Sequence, residues 1–196
     1  MDSGLKKIID KDVIQISRIS IVEQIIDRLN QYNDTVLVCI LKGAAYFAVD
    51  LSRDLDRNGF KHSVYFVEAS SYSGMEQKDS VELLSRLVPE KLDGKHILLV
   101  DELYDNGKTM HNIREYLNSN IKHDGITTCV MFKKRCKTQK YTLPDIFGLE
   151  VPNVWIVGYG LDDDGYYRGL EDLYAKPKTR GIDWTSDDWK IFINKK

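Results

Sequence analysis

Long hydrophobic runs are absent. The longest apolar stretches, such as residues 36–41 of the 196, are far too short to cross a bilayer. The first residues, MDSGLKKIIDKDV, contain neither the apolar core of a secretory signal nor an Arg-rich transit segment, so the expectation is a cytoplasmic protein without membrane contact. Cysteine is scarce. Cys39, Cys129 and Cys136 are odd in number and show no C-x-x-C pairing, which fits a reducing compartment. Cys39 and Cys129 lie in apolar runs and read as small core residues. Neither sign of charge is in excess: 28 Lys and Arg against 30 Asp and Glu leave a net charge of -2. That excludes a global attraction to nucleic acid or to anionic membrane, so any polyanion must be met by local charge. The histidines, His62, His96, His111 and His123, lack metal-ligand spacing and read as structural or surface residues. Repeats and low-complexity segments are missing too.

What is present is the composition of an ordinary globular protein, 42% hydrophobic and 30% charged, and the length favours one domain over 1–196. Residues 18–32 place apolar side chains at 21, 22, 25, 26 and 29, the helical period. TVLVCIL (35–41) is a near-continuous apolar run, as expected of a strand buried on both faces. Residues 43–59 return to helical spacing and stop at Gly59. KHSVYFVEA, HILLV, ITTCVMF and VWIVGYG read as further strands, and KTMHNIREYLNSN as a helix. Strands alternating with helices predict an α/β fold with a mostly parallel twisted sheet flanked by helices. Ligands of such sheets sit beyond the carboxyl ends of the strands. The segments found there are LKGAAY, SSYSG, DELYDNGKT, KKRC and LDDDGYYRG, which would gather acids, bases and glycines on one edge. Residues 70–91 have weak periodicity and form a long connection, the kind of loop that is usually a functional lid or disordered.

The segment HILLVDELYDNGKTM (96–110) carries the most chemistry. Its Gly107-Lys108-Thr109 ending resembles a phosphate loop, but a Walker A motif needs a glycine where Glu102 stands. A strand–loop–helix junction can still aim backbone N–H groups and the helix dipole at an anion. Helix capping would explain Asp105 or Asn106, but not Asp101 and Glu102 directly at the strand end. Those acids suit a divalent cation, sugar hydroxyls or proton transfer. A phosphate beside a diol satisfies the whole set, which describes a ribose 5-phosphate group.

LLVDELYDNGKTM resembles the phosphoribosyl pyrophosphate signature of type I phosphoribosyltransferases, most closely that of the hypoxanthine-guanine phosphoribosyltransferase family. LKGAAYFAVDL, SSYSG, FKKR and WIVGYGLD with YYR are similar, in order, to the family's other segments, and the likeness runs from about Thr35 to Tyr174. It implies the type I fold with a small hood built from terminal segments. It also implies purine salvage with phosphoribosyl pyrophosphate and a 6-oxopurine as substrates and Mg²⁺ as cofactor. By resemblance, Asp105 is the general base. Asp101 and Glu102 hold the ribose hydroxyls and a metal ion, and Asn106, Gly107, Lys108 and Thr109 cradle the 5-phosphate. Lys42, Gly43 and Arg168 meet pyrophosphate, with a cis peptide before Lys42, and Ser71 and Tyr72 belong to a mobile lid over 70–91. Lys134 bonds the 6-oxygen, Val154, Trp155, Ile156 and Asp162 belong to the purine site, and Asp162 also binds a second Mg²⁺.

Taken one at a time these residues have plainer readings. Lys134 sits in a basic surface run without interleaved aromatics, Trp155 could be core, and Arg168 could be a surface ion pair. The ordered set raises them above those readings. Departures from the family pattern are the order Asp101-Glu102 where Glu-Asp is usual, Asn106 for Thr, Trp155 for Phe, and Gly169 where Asp is common. Relatives are dimers or tetramers, so a homo-oligomer is expected, and no nucleic-acid partner. Two alternatives stand beside this reading: a relative preferring xanthine, and a nucleotide- or RNA-binding regulator on the same fold. The tail, 175–196, has no assigned role; its Trp184, Trp189, Ile191 and Phe192 suggest a packed element or a subunit contact.

Overall fold

The structure is a computed structural model. It describes residues 4–73, 76–83, 88–135 and 140–176, with the backbone alone over 69–83. Its strands are β1 (Lys6–Ile9), β2 (Thr35–Leu41), β3 (Ser63–Ser73), β4 (Glu76–Leu83), β5 (His96–Tyr104), β6 (Gly125–Lys134), β7 (Ile146–Val151), β8 (Ile156–Val157) and β9 (Leu173–Ala175). The helices are α1 (Lys11–Leu29), α2 (Ala45–Arg57) and α3 (Lys108–Asn120). The main sheet has the order β4-β3-β2-β5-β6-β7. Its β3-β2-β5-β6-β7 part is parallel, and β4 pairs antiparallel with β3. A smaller antiparallel sheet, β1-β9-β8, joins the beginning of the chain to residues beyond β7 and forms the hood.

Successive side chains of a strand point to opposite faces, and both faces of the main sheet are covered. Leu37 and Cys39 of β2 and Leu98 and Val100 of β5 join Ile21 and Ile25 of α1 and Phe47 and Leu51 of α2 in one core. The intervening Val36, Val38, Ile97 and Leu99 meet Met110, Ile113 and Leu117 of α3 in the other. This is why β2 reads as an unbroken apolar run. Truncating one of these buried leucines to alanine costs about 2–5 kcal/mol.

The fold departs from the sequence expectation in three places. VWIVGYG is not the fifth strand of the main sheet. That place belongs to β7, an edge strand whose Phe147 is exposed and whose Gly148 leaves room for Met131 and Ser17 to pack against its backbone. Only Ile156 and Val157 of VWIVGYG are strand, and they lie in the hood. The first helix starts at Lys11 rather than Arg18; the Asp10 side chain caps it by accepting the Asp12 N–H at 3.0 Å. The connection over 70–91 contains paired backbone, since Tyr72 faces Gln77 in the β3–β4 hairpin. The tail beyond 176 and Cys136 lie outside the described residues. Among the described residues no helix is long and apolar enough to cross a membrane.

Candidate active site

β5 lies in the middle of the parallel sheet, and its carboxyl end carries the acids. Asp101 closes the continuous buried run His96–Asp101 and pairs in register with Val130 of β6. It is 9% exposed and accepts the Glu102 N–H at 2.9 Å. Burial, then the neighbouring Glu102 carboxylate, hold the Asp101 carboxyl well above its ordinary value. A buried acid beside a second acid suits a ligand that brings positive charge or hydroxyl donors. Burial, and after it the same two acids, push the Cys39 thiol up to about 12, so that cysteine is inert.

Four residues on, the strand becomes the loop before α3. Gly107 has φ +84, and a Cβ there would strike the ring of Tyr104, so this corner admits only glycine. Asn106 Oδ1 accepts the Lys108 N–H at 3.0 Å, capping the helix from one position outside its first turn. Asp101, Asp105, Asn106, Gly107 and Thr109 line a hollow of about 50 Å³ there. Amides at the start of a helix have no intrahelical acceptor, and the dipole is positive at that end. The hollow can therefore hold a small anion such as a phosphate.

The neighbouring strand ends supply the rest. β6 ends on Lys134, whose side chain is only 10% exposed and whose Nζ lies 3.0 Å from Asp105 Oδ2. The Leu41–Lys42 peptide at the end of β2 is cis. Lys42 Nζ is 3.7 Å from Glu68, and a side chain at Gly43 would overlap the Glu102 carboxylate. The backbone of Gly160 sits so close to the Gly43 carbonyl that a Cβ there would overlap it as well. Arg168 donates from Nη1 to the Gly160 carbonyl at 2.7 Å and pairs with Asp162 at 2.8 Å. Asp162 also accepts the Gly165 N–H at 2.7 Å.

The structure thus brings Lys42, Gly43, Asp101, Glu102, Asp105–Thr109, Lys134, Asp162 and Arg168 to one edge of the sheet. The last two arrive from the hood rather than from the fifth strand. Val154 and Ile156 are buried, while Trp155 is 41% exposed and could offer a ring face to a planar ligand. The side chains of Ser71 and Tyr72 lie outside the described residues. A cavity of about 550 Å³ lies elsewhere, among Arg18, Tyr46, Asp50 and Tyr159, and is lined by none of the predicted site residues. Sequence reasoning missed this cluster.

Among the described residues no group of three or more His, Cys, Asp or Glu could hold a metal alone. Asp101 and Glu102 are nonetheless hard oxygen donors. Mg²⁺ is commonly held by one or two carboxylates together with substrate phosphates. The donor set fits a metal that shares its ligands with the substrate.

These features agree with comparisons to known proteins. A family model described as the phosphoribosyl transferase domain matches residues 11–164, which gives the class of protein that this sheet and its loops define. The chain is 39% identical over 140 residues to the hypoxanthine-guanine phosphoribosyltransferase of Aquifex aeolicus, covering 71% of this chain and 76% of that one. It is 33% identical over 139 residues to the hypoxanthine phosphoribosyltransferase of Escherichia coli, covering 70% and 75%. The structure of the Trypanosoma cruzi hypoxanthine phosphoribosyltransferase in complex with the product IMP superposes with a TM-score of 0.78 at 25% identity, covering 90% of this chain and 96% of that one. The chain belongs to the hypoxanthine-guanine phosphoribosyltransferase family.

Proposed function

We propose that this enzyme transfers the 5-phosphoribosyl group of phosphoribosyl pyrophosphate to hypoxanthine or guanine, giving IMP or GMP and pyrophosphate. The observation that carries the reading is the single sheet edge on which an anion hollow, the buried Asp101 with its neighbour Glu102, and the Asp105–Lys134 pair stand together. The hollow over 105–109 takes the 5-phosphate. Asp101 and Glu102 take the ribose hydroxyls, and Lys42 and Arg168 neutralise the pyrophosphate. Mg²⁺ held by Asp101, Glu102 and Asp162 would supply further neutralisation of the leaving group.

Lys134 donates to the 6-oxygen of the purine. Its ammonium also pairs with Asp105 at 3.0 Å, so a 6-oxopurine meets the two groups together, its oxygen at Lys134 and its ring N–H at Asp105. Asp105 accepts the proton of the purine ring nitrogen as that nitrogen bonds to the anomeric carbon and the bond to pyrophosphate breaks. An ammonium has only donors, and an exocyclic 6-amino group offers donors as well, so adenine is disfavoured. Trp155 stacks on the base, beside Val154 and Ile156. The 70–91 segment, with Ser71 and Tyr72, closes over the reacting centre and keeps water from replacing the purine. The same reading includes a cytoplasmic homo-oligomer without a nucleic-acid partner.

The test is a panel of hypoxanthine, guanine, xanthine and adenine, each with phosphoribosyl pyrophosphate and Mg²⁺, followed by nucleotide formation. Turnover with hypoxanthine or guanine is expected. Faster turnover with xanthine would reassign the preferred base, and no turnover with any oxopurine would sink the reading.

A further inference from the structure

The turn over 158–161 breaks a local rule. Gly158 and Leu161 exchange backbone hydrogen bonds at 3.0 and 3.1 Å, leaving Tyr159 and Gly160 as the two central residues. Both have positive φ, +47 and +100, as a type I′ turn requires. Asn, Asp or Gly is the ordinary choice at the first of these positions, because a bulky side chain there is strained. Tyr159 occupies it and is 8% exposed. Its ring stands edge-on to Phe132 at 6.1 Å. Its hydroxyl donates to Asp50 Oδ2 at 3.0 Å and accepts from Arg18 Nη1 at 3.0 Å. Arg18 also binds Asp54 at 2.6 Å and Asp50 at 3.2 Å. Burial holds the phenol above its ordinary pKa, so the proton donated to Asp50 stays on the tyrosine.

Asp50 lies on α2, and the Lys42–Gly43 loop leads directly into that helix. The turn next to Tyr159 is therefore joined to this unit twice, through the hydroxyl–Asp50 bond and through the seat of Gly160 on the Gly43 carbonyl. Gly160 in turn carries Arg168 on its own carbonyl, and Arg168 carries Asp162. An asparagine at 159 would make the turn without effort but could not reach α1 and α2.

We infer that Tyr159 is a positioning residue: with Arg18 and Asp50 it clamps the 158–161 turn onto the Lys42–Gly43 loop and so sets the pyrophosphate end of the site. The inference rests on the phosphoribosyl transfer proposed above. Tyr159→Phe keeps the ring and deletes the hydroxyl. It is expected to raise KM for phosphoribosyl pyrophosphate about tenfold, the size of one hydrogen bond to a charged group. KM for the purine should change less, by no more than about threefold, because Lys134 and Asp105 meet the base from β6 and the β5–α3 loop and Tyr159→Phe keeps the ring packed on Phe132. Asp50→Asn should act in the same direction, and the double variant should lose little more than either single one. A loss of active protein with both KM values unchanged, or full additivity, would overturn the clamp. Amide hydrogen exchange provides an arm that needs no substrate. In Tyr159→Phe, peptides covering 158–162 and 42–44 should exchange faster while β5 and β6 do not; unchanged exchange there would also overturn it. If the wild-type protein turns over no oxopurine, the functional reading fails, and the exchange result alone decides the clamp.

Discussion

Substituting Gly43 by alanine would isolate one contact of the site. Gly43 has no left-handed φ, so alanine suits its backbone, and the consequence lies in the side chain. The added Cβ would occupy the space of the Glu102 carboxylate. Glu102 is half-buried at the end of β5, and its head can swing toward solvent. The fold therefore loses little, under about 1 kcal/mol, or less than about 4 °C in Tm for a chain of this size. The site loses the placement of one carboxylate that contacts sugar or metal. A hydrogen bond to a charged group contributes about 1.5–3 kcal/mol, which corresponds to a fall of roughly 10- to 150-fold in kcat/KM for phosphoribosyl pyrophosphate. Steady-state kinetics at saturating purine, alongside a thermal melt, measures both quantities. The decisive comparison is on a Glu102→Ala background. With the obstructed side chain gone, Gly43→Ala should cost less than about twofold. An equal loss on both backgrounds would show that the effect does not pass through Glu102, and the reasoning would be refuted.

Asp105→Asn should lower kcat by about 10²- to 10⁴-fold with KM for phosphoribosyl pyrophosphate largely kept; unchanged turnover would remove Asp105 as the base. His96 is buried, stacks on Tyr32 at 3.8 Å and bonds Thr127 at 2.9 Å, and burial lowers its pKa from 6.5. Its folded state favours the neutral ring, so its contribution to stability is full above pH 6.5 and declines as pH falls below it. At one unit lower the loss reaches at most about 1.4 kcal/mol, and His96→Gln should flatten the slope of Tm against pH between pH 7.5 and 5.5, kept above the carboxylate range. An identical slope in the variant would exclude His96 as its source. Cys39 and Cys129 are buried with raised pKa values, so in peptide mapping after thiol labelling both should react only once the protein is unfolded. Labelling of either in the native protein would contradict the packing.

The parallel core was legible because both of its faces are covered, which turns β2, β5 and β6 into apolar runs. The loop before α3 was legible because its chemistry is contiguous in sequence. β7 was not. As an edge strand with Phe147 exposed and a glycine in the middle, it lacks the density of a buried strand, while VWIVGYG is apolar for the sake of the hood. The start of α1 was blurred by the exposed Val13, Ile16 and Ile19, which add apolar residues off the buried face. The Tyr159 clamp was out of reach for a different reason. Its partners lie 109 and 141 positions away, and only the folded chain brings them together.

On the proposed reading, the two halves of the product are recognised by separate pieces of chain. Sugar and phosphate meet β5 and the loop into α3, where spacing is fixed by consecutive backbone in the middle of the sheet. Apart from its proton transfer to Asp105, the base meets Lys134 and residues 154–156, which lead into a small sheet shared with β1 near the beginning of the chain. Changes in the hood can therefore retune the choice among oxopurines while the reading of ribose 5-phosphate is inherited intact. Altering the sugar would require inserting or deleting residues in the central strand itself.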